Sequence, residues 1–456
     1  MLNLTLHDFE KLSDVTFHNI DYGILSGKMI KGISIDSRTI EPDEVFWAIE
    51  GDRFDGHDYL MEVNQKSALF SVVARHSYDA VKNLALPLLV VPDTLKALHQ
   101  LAAMHRNKYD IPVIAVTGSN GKTTTKEMIS HILKNKFTVH KTSGNLNNHI
   151  GCPLTLLRLN EIHQAAVIEI GTNHHGEIAP LAAITRPNHA IITNIGDTHL
   201  EFFKDRKGVA REKLSLFDSL EDNSTIYLNL DDPFLKNYEK KGVNVITYSF
   251  SEKAVTSGQF IKLDSNGCGV FRLNDKTDIH LSAAGIHNTK NALAASAIAL
   301  NLGFSEREIK NGLETYAPVE KRMQIIDWRG VTIVNDAYNA NPASMEIAID
   351  TVFSMKKKNK VFLALGDMFE LGETSFEMHL GILNYAVSKE PSAIFLMGDM
   401  MKSVIPEINK PGSTEIRFFD DHTELATSLA RAINSGDIIL IKGSRGMQME
   451  KIIGNL

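Results

Sequence analysis

The apolar run IPVIAV at positions 111–116 passes directly into TGSNGKTTTKE, and this junction constrains the fold more than any other stretch of the chain. Glycines let backbone N–H groups converge on one point, and a helix opening straight after them adds the positive end of its dipole. With Lys122 and Thr123 at the helix start, the segment reads as a phosphate cradle at the carboxyl end of a parallel strand. It departs from the common phosphate loop, which carries a glycine five residues before its Gly-Lys pair. Here that position is Val116, and the nearer glycine is Gly118. The helix from Lys122 is expected to bury Met128, Ile129, Ile132 and Leu133.

Other apolar runs end in the same way. AAVIEI leads into GTNHHGE and HAIITN into IGDTHLE, so three polar strand ends should face one crevice of a parallel sheet covered by helices. Upstream, GISID, EVFWAIEG, SALFSVVA and LPLLVVP fit a smaller α/β unit. It is followed by a helix with Leu98, Leu101, Ala102 and His105 on one face. Beyond Pro318 the alternation restarts with VTIVNDAY, KVFLALGD, SAIFLMGD and DIILIKGS. A chain of 456 residues has room for about three domains. The expected fold is therefore α/β in three parts: a small N-terminal α/β domain (1–107), a central P-loop ATPase-like parallel-sheet domain (108–318) and a C-terminal Rossmann-like α/β domain (319–456).

The formal net charge of -7 supplies no global positive field for nucleic acid. The run KKKNK at 356–360 reads as a solvated helix end. Two cysteines, Cys152 and Cys268, give neither a disulfide framework nor a zinc spacing. No secretory leader and no membrane-length apolar run is found, so a cytoplasmic protein without membrane insertion is expected.

Magnesium with a nucleotide needs hard oxygen ligands. Glu169, a carboxylate closing an apolar strand, is a candidate because burial there is costly without a partner. His199 follows another strand into the same crevice. His174 and His175 are adjacent, which suits a loop better than one metal ion. The tetrapeptide NKYD at 107–110 matches a guanine-reading motif, but it precedes the phosphate loop's own strand and reads as a turn.

Taken in order, GSNGKTTTKE, EIGTNHHGEI, NIGDTHLE, HNTKNALAA and NDAYNANPASM resemble the Mur ligase family of peptidoglycan synthesis over nearly the whole chain. Within that family, IDSRTIEPDEVFWAIEGDRFDGHDYL, GNLNNHIGCPLTLL, YNANPASM, LGDMFELGE and KGSRGMQME look like the member that adds D-alanyl-D-alanine. The family's ATP loop has the same short form. The resemblance implies ATP binding by Gly118, Ser119, Asn120, Gly121, Lys122, Thr123 and Thr124, with Mg²⁺ at Thr123 and Glu169 and a second metal position at His199. It implies adenine contacts from Asn288 and Asn291, and brings Arg322 to the phosphates and Asp336 to the ribose. Lys213 matches a lysine that becomes N-carboxylated, which turns a cation into an oxygen ligand for Mg²⁺. Lys122, Glu169, His199 and Lys213 then form the catalytic set.

By the same resemblance, Ser37 and Arg38 hold the uridine nucleotide of the substrate, and Asn145, Asn147 and Asn148 lie near its muramoyl part. Tyr338, Asn339, Asn341 and the LGDMFELGE loop are candidates for the dipeptide. One departure is EFFKDRKG after His199, where the family commonly has small residues and a glycine-serine turn; it bears on the register of Lys213. The implied reaction joins D-alanyl-D-alanine to UDP-N-acetylmuramoyl-tripeptide through an acyl phosphate. The protein would act as a monomer, with a hinge around Ala317 to Arg322. A sister ligase or a folylpolyglutamate synthetase-like enzyme is the nearest alternative, and a nucleotide-dependent switch is the alternative of another class.

Overall fold

A computed structural model describes residues 2–51, 53–355, 359–409, 412 and 414–456. Lys356, Lys357 and Lys358 of the basic run lie outside them. Among the described residues the strands form three sheets. The first runs in the order Thr16–His18, Leu88–Val91, Ser71–Ala74, Val45–Trp47 and Ile33–Ser34, antiparallel at the first pair and parallel elsewhere. Its inner strands SVVA, LLVV and VFW are buried throughout, as β-branched and aromatic residues between two covered faces should be.

In the central sheet, Val113–Thr117 lies between His189–Ile192 and Ala165–Glu169, parallel to both. The loops after these three strands therefore emerge side by side, and the expected crevice is formed. Val139–Lys141 pairs outside Ala165–Glu169, while Thr225–Asn229 and Asn244–Ser249 continue the parallel sheet on the other side. The sheet then becomes antiparallel through Thr256–Leu263, Cys268–Leu273 and Thr277–Ala284. This extension was not foreseen from the apolar pattern. Thr277–Ala284 alternates buried and exposed positions, the signature of a strand covered on one face only.

The third sheet follows the order Gln324–Trp328, Val331–Asp336, Ile438–Lys442, Val361–Gly366, Ala393–Met397 and Glu415–Phe418, parallel except at its first pair. No helix among the described residues is long and apolar enough to cross a membrane.

The helix Thr94–Arg106 buries Leu98, Leu101, Ala102 and His105 as its spacing predicts. It packs mainly on the helices Gly151–Leu157 and Ile178–Thr185 of the central domain. Its start is tied to the first sheet by Trp47, whose indole Nε1 donates to the carbonyl of Thr94 at 2.7 Å. One apolar core consequently runs from the first sheet into the central domain. NKYD is a structural turn: Asn107 closes the helix, Lys108 pairs with Asp8 at 2.7 Å, and the Tyr109 hydroxyl donates to the Leu159 carbonyl at 3.1 Å.

Arg106 is buried next to that turn, and its guanidinium donates to the carbonyls of Thr185, Tyr109 and Arg186 at 2.9, 2.6 and 3.0 Å. Arg106→Leu keeps most of the apolar stem and removes these donors. It should lower stability by about 2–4 kcal/mol: each acceptor that loses its partner costs about 1–3 kcal/mol, and removing a buried charge returns part of the sum. Urea denaturation checks this, and a midpoint equal to wild type would show that the three bonds carry no net stability.

Candidate active site

The phosphate loop is held in shape by the segment that follows the neighbouring strand. The backbone N–H of Ser119 donates to the Asn194 carbonyl at 2.9 Å, and that of Asn120 to the Asn194 side chain at 3.1 Å. The Ser119 hydroxyl donates to the Gly196 carbonyl and accepts from the Gly196 N–H, while the Thr193 hydroxyl donates to the Asn120 carbonyl at 2.6 Å. Gly118 is required where it stands: its φ is +146°, and a β-carbon there would lie 1.9 Å from the Thr193 hydroxyl. Gly121, at φ +80°, begins the helix Lys122–Leu133 and leaves room for Asn291, whose side-chain oxygen would lie 2.3 Å from an added β-carbon. Asn291 in turn donates to Asn288, and both are buried against the loop.

Lys122 folds back so that its ammonium donates to the carbonyls of Gly118 and Ser119 at 2.7 and 3.2 Å. Desolvation among these groups pushes it down to about 8, helped by the Arg322 guanidinium and opposed by Glu169. One turn further along, Lys126 is fully buried; it donates to the Thr142 carbonyl at 2.7 Å and pairs with Glu127 at 3.0 Å. Lys126 was not singled out from the sequence. Its i+4 spacing from Lys122 was the available sign.

Glu169 is 2% exposed. One carboxylate oxygen accepts from the Thr123 hydroxyl at 3.1 Å and from the Asn147 amide at 2.8 Å. The other has no hydrogen-bond donor among the described residues, and it lies 3.7 Å from the Lys126 ammonium. A buried carboxylate oxygen without a donor, beside a threonine hydroxyl at the base of a phosphate loop, is the hard-oxygen environment that Mg²⁺ prefers. The donor set fits that ion.

Lys213 lies on the helix Arg206–Asp218 and is 1% exposed. No hydrogen-bond or ion-pair partner of its ammonium is found among the described residues. Burial depresses it well below the usual range, and repulsion from Lys122 adds to the effect. Glu212 accepts from the backbone N–H groups of Gly176, Glu177 and Ile178 at 2.7, 3.0 and 2.9 Å, which pins this helix to the loop that follows Glu169. Phe202 and Phe203 pack against the rings of His174 and His175, giving the two histidines the loop role expected of them.

The third domain reaches into this crevice at three points. Arg322 donates to the Thr123 hydroxyl at 3.0 Å, with its guanidinium 3.9 Å from the centre of the Tyr338 ring. Asn341 donates to the Asn120 side chain at 2.8 Å. Glu370 meets the imidazole Nδ1 of His199, and that contact holds the Glu370 carboxyl below its usual range. Nearby, Asp336 pairs with the buried Lys442 at 2.6 Å and accepts from the Met323 N–H, while Lys442 also donates to the Asn339 carbonyl.

Other predicted residues have structural partners of their own. Asn148 accepts from the N–H groups of Ile150 and Gly151 at the start of a helix, and Asn145 is exposed. In the first domain, Arg38 is an exposed partner of Asp36, and the Ser37 hydroxyl donates to Glu62 at 3.3 Å. Thr193 and Asn194, which shape the loop, went unmarked; the strand-end position of TN in HAIITN was their signal.

Comparison with known proteins identifies the family. The Mur ligase catalytic-domain, middle-domain and glutamate ligase-domain families match residues 29–106, 116–299 and 321–445. The chain is 32% identical to the UDP-N-acetylmuramoyl-tripeptide–D-alanyl-D-alanine ligase of Bacillus subtilis, over 100% of this chain and 99% of that protein. Its structure is similar to MurF from Acinetobacter baumannii (TM-score 0.90, 31% identity, covering 100% and 99% of the two chains). It is also similar to MurF ligase from Thermotoga maritima in complex with ADP (TM-score 0.82, 26% identity, 93% and 97% covered).

A nucleotide phosphate beside Lys122 would restore its proton. Above the ligand-free value of about 8 the free protein has lost that proton and the complex regains it. ADP binding near pH 9 should thus take up close to one proton, and the uptake should fade as the pH drops to about 7, where Lys122 is already charged. Calorimetry in buffers of different ionisation enthalpy measures this; a binding heat independent of buffer near pH 9 would contradict it.

Proposed function

Since the chain belongs to the Mur ligase family, we propose that it joins D-alanyl-D-alanine to UDP-N-acetylmuramoyl-tripeptide in an ATP-dependent reaction. The products are UDP-N-acetylmuramoyl-pentapeptide, ADP and phosphate, and the setting is cytoplasmic peptidoglycan precursor synthesis. The observation that carries this reading is the full-length match to ligases of that name by a chain whose third domain brings Arg322 to the helix start of a phosphate loop.

The terminal carboxylate of the tripeptide attacks the γ-phosphorus of ATP, ADP leaves, and an acyl phosphate forms. The dipeptide amine then attacks the acyl carbon, loses a proton, and phosphate departs as the amide closes. Bringing a carboxylate to a triphosphate sets anion against anion, so fixed cations must offset the repulsion and the charge that develops on the transferring group. Lys122 and Arg322 supply them. The loop N–H groups from Gly118 to Thr124 cradle the phosphates, Asn288 and Asn291 lie toward adenine, and Asp336 toward ribose.

Thr123 and Glu169 would hold Mg²⁺, with His199 and Lys213 at a second position; the ion, when bound, neutralises phosphate oxygens and orients the acceptor carboxylate. A depressed, unpartnered amine is what carbon dioxide adds to, and carboxylation gives Lys213 the oxygen ligands that a lysine lacks. Ser37 and Arg38 take the uridine nucleotide, and Asn145, Asn147 and Asn148 the muramoyl part. Tyr338, Asn339 and Asn341 take the dipeptide. Closure about Ala317–Arg322 excludes water from the acyl phosphate, and the enzyme acts as a monomer.

Phosphate release should require the tripeptide and D-alanyl-D-alanine together, with a matching mass gain in the product. Release with another amine alone would move the protein to a sister activity, and turnover without any amide would favour a nucleotide switch. Lys213→Ala should reduce the rate at least about a hundredfold, and millimolar formate or acetate should restore part of it by returning an anionic oxygen to the vacated space. A Lys213→Ala enzyme as active as wild type would remove Lys213 from the mechanism.

A further inference from the structure

The contact between His199 and Glu370 joins two residues 171 apart in sequence and from different domains. His199 stands in the left-handed region at φ +53° and starts the short helix Leu200–Phe203; its ring is largely buried and lies edge-on to Phe203. Glu370 is also left-handed, at φ +63°. Two non-glycine residues held in this conformation on facing loops signal a contact that the surroundings enforce.

The backbones enforce it directly. The N–H of Glu201 donates to the carbonyl of Glu370 at 3.3 Å. Gly372, at φ +58°, lies so near that an added β-carbon would be 3.1 Å from the α-carbon of Glu201. The LGDMFELGE loop of the third domain is thus seated on the turn that carries His199. An ionised carboxylate only accepts hydrogen bonds, so the proton of a neutral imidazole is drawn to Nδ1 and the lone pair is left on Nε2. Free imidazole side chains favour the other tautomer.

Resting on the ligase reading above, we propose that Glu370 is a positioning residue supplied by the C-terminal domain. When that domain docks, Glu370 fixes the tautomer and ring orientation of His199, so that His199 offers its Nε2 lone pair to the ATP site only in the closed enzyme. Arg322 brings charge to the same site on closure, and Glu370 readies a ligand already there. Two loops of the third domain complete the site by different means.

The test uses the full-length protein with Glu370→Ala and Glu370→Gln. Carboxylate partners of ligating histidines are worth about 10–100-fold in activity or metal affinity, so Glu370→Ala should lower kcat by about that factor while KM for ATP changes less than about twofold. Glu370→Gln keeps a carbonyl that can accept from Nδ1–H and should recover most of the loss. Nitrogen NMR of labelled histidine, with the His199 signal assigned by its loss in His199→Gln, should show Nδ1–H in wild type and a shift toward Nε2–H in Glu370→Ala. An active wild type with kcat and His199 nitrogens unchanged in Glu370→Ala overturns the inference. Equal losses in both variants with lowered melting temperatures overturn it too, because they mark a merely structural contact. If the wild type forms no amide, the ligase reading fails, and the nitrogen signals still decide whether Glu370 sets the tautomer.

Discussion

The buried carboxylate of Glu169 is the constraint around which the site is organised. A carboxylate at 2% exposure is costly unless it is paired and hydrogen-bonded, and here one oxygen is satisfied by Thr123 and Asn147 while the other has no donor. Thr123 is in turn the anchor for Arg322 from the third domain, and Asn147 belongs to the loop GNLNNHIG. Lys122, Lys126 and Arg322 gather near this negative group. The protein's half of the site is therefore rich in positive charge, as a place for a polyanion must be, and the large apolar cores above and below the sheet offset its cost.

The third domain meets the central one through two kinds of surface. Cys268 and Ala284 of the antiparallel extension share an apolar core with Met345, Ile349, Val352 and Met355. At the crevice the contacts are polar: Arg322 to Thr123, Asn341 to Asn120, and Glu370 to His199. Apolar packing is non-directional and tolerates small rotations, whereas hydrogen bonds have preferred angles. The first surface suits a pivot and the second a latch. The left-handed residues Lys321 and Met323 flank Arg322, and His199 and Glu370 are left-handed as well, so unusual backbone borders two of the latch contacts.

Much of this was legible in the sequence because the signals were local. IPVIAVTGSNGKTTTKE specifies strand, glycine turn and helix within seventeen positions, and the placements of Lys122, Thr123 and Met128 follow from periodicity alone. Glu169 stood out because a charge in an apolar strand needs a reason. Lys213 is different: its Arg-Glu-Lys surroundings carry no local sign of burial, and only tertiary packing, with Glu212 tied to three N–H groups, turns it inward. The antiparallel extension left no trace in a search for parallel strands. The pairing of residues 199 and 370 depends on docking between domains, which no local pattern encodes.

Several polar groups at the phosphate loop are engaged with the protein itself. Lys122 holds two loop carbonyls, and the Thr123 hydroxyl gives its one proton to Glu169 while accepting from Arg322. Phosphate entering the loop offers oxygen acceptors to both cations, so it replaces existing hydrogen bonds with charge-assisted ones to a dianion or trianion, roughly twice as strong as neutral bonds. The net gain is therefore smaller than a count of phosphate contacts implies, because those of Lys122 and Arg322 have intramolecular predecessors. The same exchange keeps the cations preorganised in the ligand's absence, so that little reordering is needed when the phosphates arrive.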